Sequence, residues 1–185
     1  MFKARLGVSL LAVALVAMTS MNARTAAATS AAEINRDVDA TLTKLFADIP
    51  EARSLAKQAK GTLVFPSIVK AGFLFGAQYG DGALRRGGKT VGYYNTVAAS
   101  YGLQAGVQTF GYVLFFMSDS ALRYLNESGG FEIGVGPSVV VLDAGKAKTL
   151  TSTTIQSDVY AFIFDQKGLM AGLGLQGSKI SRIDR

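Results

Sequence analysis

The residues of this sequence best suited to bind a ligand are basic side chains next to glycine. Arg85, Arg86 and Lys89 surround the pair Gly87-Gly88. Glycine leaves backbone N–H groups accessible and the side chains add positive charge, a combination that can hold a phosphate or a lipid head group. The segment is therefore a candidate lipid-binding loop.

Three lysines, Lys57, Lys60 and Lys70, form a second candidate group near the predicted junction of helices and sheet. The alternative for both groups is that they are solvated loop charges, which keep a domain soluble and protect the edges of its strands. The sequence leaves these two interpretations open.

Catalytic side chains are scarce in this sequence. It has no histidine and no cysteine, which excludes histidine-based triads, zinc–histidine sites and thiol nucleophiles. Asp81, Asp143, Asp158 and Asp165 lie in predicted turns or beside a predicted strand, and none has a partner at a spacing typical of a metal site or an acid–base pair. We therefore predict no enzymatic activity, no metal and no cofactor.

One nucleotide-binding pattern is present but lacks its context. Residues 172–177, GLGLQG, match G-x-G-x-x-G, which in a dinucleotide fold follows the first strand of a βαβ unit. Only eight residues follow the match, too few for the helix and second strand of that unit. We interpret these glycines as part of a strand.

The first 28 residues are expected to be a signal peptide. A short basic start with Lys3 and Arg5 precedes a 13-residue apolar run from Leu6 to Met18, and small residues follow at 26–28. The expected location is periplasmic or secreted, with membrane association also allowed. Removal of Lys3, Arg5 and Arg24 leaves 16 basic against 13 acidic residues, a net charge of +3. That charge suits attraction to anionic surfaces, not nucleic-acid binding.

Helices are predicted for residues 29–60. Ser30 and Glu33 have the spacing of a capping box, and apolar residues then recur every three or four positions up to Ile49. Pro50 and Glu51 indicate the start of a second helix, which Gly61 would end. The polar face is mixed in charge, so docking on the protein's own sheet is favoured over docking on a membrane.

Residues 61–185 are predicted to form a β-domain, because 20 of the 21 glycines lie there, interleaved with aromatic and branched residues. The predicted fold class is α+β, with N-terminal helices packed on a mostly antiparallel, glycine-rich β-barrel or sandwich. Asp81-Gly82 and Gly87-Gly88 are predicted turns, and Ser118 is predicted to cap a short helix. The predicted strands are 62–66, 71–79, 90–96, 100–108, 110–117, 131–135, 138–142, 151–155, 159–164, 169–175 and 179–183.

Several strings in fixed order resemble the SYLF lipid-binding domain family. They are AKGTLVFP (59–66), KAGFLFG (70–76), YGLQAG (101–106), GVGPSVVV (134–141), YAFIF (160–164) and QKGLMAGLGLQGSKI (166–180). The resemblance runs from about residue 32 to residue 183. It implies a non-enzymatic lipid-binding module, whose eukaryotic members couple phosphoinositide membranes to actin.

The predicted export would place this chain where actin is absent, so binding to anionic lipid is the property that the resemblance transfers. We expect an anionic phospholipid or membrane surface as partner, contacted through the basic loops, and no nucleic acid. The alternative is a structural or protein-interaction module of the periplasm without specific lipid binding, with an envelope protein as its partner.

Overall fold

The computed structural model describes residues 29–127, 130–142, 147, 155–168 and 177–185, without the side chains of residue 74 and residues 100–105. The predicted signal peptide and most of the G-x-G-x-x-G match lie outside these residues, as do the predicted strands 151–155, apart from Ile155, and 169–175. The elements are α1 (Ala31–Asp48), α2 (Pro50–Gln58), β1 (Gly61–Arg86), β2 (Lys89–Phe116), α3 (Asp119–Tyr124), β3 (Phe131–Glu132), β4 (Val139–Leu142), β5 (Val159–Gly168) and β6 (Lys179–Ile183).

The N-terminal helices begin at the residues that cap them. The Ser30 Oγ accepts a hydrogen bond from the Glu33 backbone N–H at 3.2 Å, and the Glu33 carboxylate accepts one from the Ser30 N–H at 3.0 Å. The predicted capping box is therefore confirmed. Pro50 is the first residue of α2, where its missing N–H costs no helical hydrogen bond.

The centre of the fold is one long antiparallel hairpin. β1 and β2 have 26 and 28 residues and pair from Arg86–Lys89 at the turn to Gly61–Phe116 at the far end. The turn is Gly87-Gly88, as predicted, and both residues have positive φ, 55° and 79°. The residues predicted as strands within 62–79 and 90–116 are in strands, but the predicted breaks between them are wrong, because β1 and β2 are continuous. A register shift between Phe65 and Ile68 lets β1 continue past Pro66.

β1 folds back on itself near residue 74. The Arg86 Nε donates to the Lys60 carbonyl at 3.2 Å, although 26 residues separate them. A Cβ at Gly82 would lie 2.2 Å from the Val64 carbonyl oxygen, so only glycine allows the two halves this close. The predicted turn at Asp81-Gly82 is therefore wrong: Gly82 lies inside β1 and serves close packing. We call this bent hairpin the doubled hairpin.

Each half of the doubled hairpin extends into more sheet. The outer edge of β2 pairs with β6 along Tyr93–Val97 and with β5 along Gln108–Phe116. β3 then pairs with β6, and β4 pairs with β5 in the one parallel pairing among the described strands. The predicted α+β class with a mostly antiparallel sheet is confirmed. Within the described residues the sheet is a curled half-barrel, not the closed barrel or sandwich that we predicted.

Two apolar clusters lie on the two faces of the curled sheet. The inner cluster lies between the halves of the doubled hairpin and includes Phe65, Tyr112, Phe116 and Phe131. The outer cluster includes Ile34, Val38 and Leu55 of the helices with Val113, Phe115 and Phe162 of the sheet. Adjacent residues of a strand point to opposite faces. Phe115 and Phe116 therefore belong to different clusters, and both are fully buried.

Candidate functional site

Four of the six predicted lipid-binding residues lie at the end of the doubled hairpin that is opposite the bend. We call this end, where Arg86 meets Lys60, the open end. Lys60 and Arg86 are joined by the hydrogen bond described above, and Lys89 faces Arg86 across the turn. Lys57 lies one helical turn before Lys60, in the last turn of α2. All four residues are exposed, and none forms an ion pair within the part of the chain that is described. We call them the basal cluster.

Arg85 has a different role from its neighbour Arg86. One of its terminal nitrogens donates to the Asp39 carboxylate at 2.6 Å and to the Asn35 carbonyl at 3.2 Å. Its side chain is only 12% exposed. These bonds attach the hairpin to α1. The bond to Asp39 is the stronger of the two, because a charge-assisted hydrogen bond to a carboxylate is among the stronger polar contacts. The Arg85 charge is consequently balanced by Asp39.

Lys70 lies away from the basal cluster. It is on β1 near the bend and is 9% exposed. Its register partner on β2 is Gln108, also buried, and the buried Gln78 donates to the Ser178 Oγ at 2.8 Å on the inner side of the same bend. The structure thus places Lys70 in a polar part of the interior and not on the surface with the other predicted cations.

A polar pocket lies between the loop after α3 and β6. Its volume is about 320 Å³, and no aromatic side chain lines it. Two cations, Lys179 and Arg182, and one acidic residue, Glu127, are among its lining residues. The full lining is Leu125, Asn126, Glu127, Gly130, Lys179, Ser181 and Arg182.

Sequence reasoning missed Lys179 and Arg182, because they belong to a short strand whose neighbours come from three separate parts of the chain. Alternation within β6 was the available signal. Lys179 is exposed while Ser178 and Ile180 on either side of it are buried.

Several carboxylates that could oppose these cations are already paired. Asp81 accepts from an Arg185 guanidinium nitrogen at 2.9 Å and from the Tyr79 hydroxyl at 2.6 Å. The hydrogen bond to Asp81 raises the pKa of Tyr79, and burial adds to that rise. Asp165 is paired with Lys44 of α1, and the same hydrogen bond raises the pKa of Lys44.

The described residues contain no cluster of three or more Asp or Glu side chains placed to hold a metal ion. Among them, no helix has both the length and the apolarity needed to cross a bilayer.

Comparison with known proteins identifies the type of domain. Residues 97–184 match a family model described as "Ysc84: Las17-binding protein actin regulator". The chain is a member of this SYLF-type family. The resemblance recognised in the sequence is thus confirmed, and the family is of a binding and regulatory type.

Two yeast proteins illustrate the relationship. The chain is 33% identical over 132 residues to "Protein YSC84" of Saccharomyces cerevisiae, and 29% identical over 131 residues to "LAS seventeen-binding protein 3" of the same species. Each alignment covers 67% of this chain but 28% of the yeast protein. The chain therefore spans less than a third of the length of these relatives.

Proposed function

We propose that this chain is a non-enzymatic domain of the bacterial envelope, exported to the periplasm or beyond, that binds anionic phospholipid head groups with the basal cluster. The observation that carries the proposal is the convergence of Lys57, Lys60, Arg86 and Lys89 at one exposed end of the hairpin without carboxylate partners among the described residues. Unpaired cations close to an anionic surface each contribute about 1 kcal/mol of attraction.

Head-group contact is favoured over capture of an acyl chain. A site for an acyl chain is concave and lined by apolar or aromatic side chains. The pocket beside β6 is lined mainly by polar and charged residues instead. The inner face of the doubled hairpin is filled by buried aromatic rings, with Phe65 and Tyr112 at 4.9 Å between ring centroids. Membrane contact from outside the sheet fits this arrangement.

The test is co-sedimentation of the full chain with phosphatidylglycerol-containing vesicles. Arg86→Gln/Lys89→Gln removes two basal charges, and we expect about tenfold to thirtyfold weaker partitioning at low salt. Arg36→Gln/Arg53→Gln removes the same charge from the N-terminal helices and serves as the matched control. Equal weakening in both variants would show that net charge alone matters and would overturn the assignment to the basal cluster.

The yeast relatives supply the second candidate function. The name of one of them, "LAS seventeen-binding protein 3", and the description of the family model both state binding to Las17 or "LAS seventeen". Protein binding is therefore the alternative for this chain, with an envelope protein as partner. Specific recovery of one protein by the full chain, together with equal and negligible binding to neutral and anionic vesicles, would favour it.

A further inference from the structure

The bend of the doubled hairpin carries an exposed apolar surface that the basal cluster does not explain. Phe73 and Phe75 are 72% and 74% exposed, among the highest values of the large apolar residues described. Val69 and Tyr79 on β1 and Val107 on β2 are 48%, 48% and 59% exposed on the same outer face. We call the outer face from residue 69 to residue 79, with its β2 neighbours, the tip.

The tip continues the face that the helices cover elsewhere. Near the open end this outer face is buried beneath α1 and α2 through Val64, Val113 and Phe115. Beyond Val69 the apolar side chains of the face are exposed instead. Residues 71–80 and 96–118 contain no Asp, Glu, Lys or Arg. A contiguous charge-free apolar surface of this kind marks an interaction site.

Two exposed lysines border the tip, one on each side. Directly opposite residues of antiparallel strands share a face. Val69 pairs with Thr109, which pairs with Lys167 of β5.

On the other half, Tyr79 pairs with Val97, which pairs with Lys179 of β6. Both lysines are exposed, and Glu132 lies one strand further out than Lys179. The row that ends in Lys167 crosses β1 at Val69, four residues from Phe73, and the row that ends in Lys179 crosses it at Tyr79, four residues from Phe75. Four residues of extended chain span about 13 Å.

From this geometry we infer that the tip inserts into the interface of an anionic lipid membrane, with Lys167 and Lys179 at the level of the head groups. The inference rests on the proposed lipid-binding function and names a second, apolar contact surface for it. In this orientation the aromatic side chains of the bend would lie deepest in the membrane and the aliphatic side chains nearer its surface. The two lysines would lie level with the head groups.

The hydrogen bonding of the backbone suits entry into an apolar phase. The ladder between β1 and β2 pairs Gly72 with Gly106 and Phe73 with Ala105, shifts register at the bend, and resumes with Phe75 opposite Tyr101. In lipid an unsatisfied backbone N–H or C=O costs several kcal/mol, so exposed loops without such pairing do not enter it. Pairing up to Phe73 and again from Phe75 confines that cost to the residues at the register shift.

Charge favours lipid over a second copy of the chain. Two copies meeting tip to tip about a two-fold axis would bring the Lys167 and Lys179 rows of one copy next to those of the other, and like charges repel. An anionic surface attracts both rows.

The test uses the absence of tryptophan from the chain. Phe73→Trp places a single fluorophore at the tip, and Val91→Trp, at a valine that is 44% exposed outside the tip, is the matched control. With phosphatidylglycerol vesicles we expect a blue shift of the emission and quenching by brominated acyl chains for Phe73→Trp, and neither for Val91→Trp.

A second pair of variants measures how much the tip contributes. Phe73→Ser/Phe75→Ser should weaken partitioning at least about tenfold, whereas Val91→Ser/Val135→Ser should leave it within about twofold. Circular dichroism confirms that each variant folds. Phe73→Leu/Phe75→Leu should restore most of the binding, because it keeps the apolar area.

The outcomes separate this inference from the proposed function. If the wild-type chain ignores anionic vesicles, the proposed function itself is overturned. If it binds them while Phe73→Trp stays unquenched and the serine variant binds normally, only the insertion of the tip is overturned. A serine variant that changes from dimer to monomer in gel filtration while binding lipid normally would assign the tip to self-association and overturn the inference as well.

Discussion

Individual charged side chains divide into those that hold the fold and those that remain available to a ligand. Arg85 belongs to the first group, because one of its guanidinium nitrogens donates to both Asp39 and Asn35 of α1. Arg86, the next residue, is exposed, and its Nε donates to the backbone carbonyl of Lys60. The two arginines are equivalent in a sequence motif, and only their contacts separate a structural role from a binding role.

Asp158 is a second side chain with a structural role. Its carboxylate accepts from the Ser138 backbone N–H and hydroxyl, each at 3.2 Å, and from the Ser118 hydroxyl at 3.0 Å. The hydrogen bond from the Ser138 backbone, followed by that from Ser118, lowers the pKa of Asp158 below its ordinary value near 3.8. Asp158 thereby ties the cap of α3 to the segment that leads into β4.

Replacing Asp158 should make stability less dependent on pH. Because the folded pKa is lowered, the stabilisation is present above about pH 4 and is lost as the pH falls through the folded pKa. We expect Asp158→Asn to lower the free energy of unfolding by about 0.5–1 kcal/mol at pH 7, a value reduced because the carboxylate is accessible to solvent. Urea unfolding at pH 7 and pH 3 measures this. A difference from wild type that is equally large at both pH values would contradict the ionic origin.

At the scale of the elements, the doubled hairpin determines the position of everything else. The two halves of β1 approach closely where a glycine of one half lies against the backbone of the other, and the halves of β2 carry the remaining strands outward. α1 and α2 then cover the outer face near the open end only. The basal cluster and the tip are the two ends of this one element.

Gly82 gives a direct test of the close approach. In Gly82→Ala the added Cβ would lie 2.2 Å from the Val64 carbonyl oxygen, so the backbone must move. We expect a loss of about 2 kcal/mol or more in the free energy of unfolding, as for overpacking of a core.

Gly88→Asn is the control for Gly82→Ala. Gly88 has φ of 79°, a Cβ added there would have no atom within 4 Å, and asparagine tolerates that φ. The melting temperature of Gly88→Asn should stay close to that of wild type. A Gly82→Ala protein as stable as the control would show that the halves of β1 do not pack this closely.

Local signals in the sequence predicted local structure well. The capping box at Ser30, the turn at Gly87-Gly88, the cap of α3 at Ser118 and the extent of β6 all depend on residues close together in the chain. The two caps and the turn are each fixed by a hydrogen bond or a backbone conformation within a few positions, whereas β6 was recognisable from its local sequence although its pairing partners are distant. Such features can be read without knowledge of the tertiary fold.

Features that depend on distant contacts were not predictable in the same way. Proline and the pair Asp81-Gly82 usually end a strand, but here a register shift and the contact of Gly82 with Val64 keep β1 continuous. The pairing of Arg85 with Asp39 joins residues 46 positions apart. The burial of Lys70 likewise follows from the bend. The candidate site was therefore predictable as a set of basic residues, but not in its final membership.

For the whole molecule, apolar and basic surfaces are arranged along one axis. About 12 residues of β1 separate the basal cluster from the phenylalanines at the bend, roughly 40 Å of extended chain. We expect the molecule to lie along one membrane with both ends against it, so that the two contacts add in binding free energy and the loss of either weakens partitioning. Electrostatic attraction falls off within about 8–10 Å at physiological salt, so each end acts separately on a nearby lipid surface.

The measurement that tests the central claim most directly is the partition coefficient of the wild-type chain on vesicles of phosphatidylcholine with increasing phosphatidylglycerol. We predict negligible binding to pure phosphatidylcholine, a steep rise with the anionic fraction, and a loss of binding as salt is raised from about 50 mM toward about 500 mM, because screening weakens the basic contacts. Equal and negligible partitioning at every composition and salt concentration would contradict the claim that this domain binds anionic lipid.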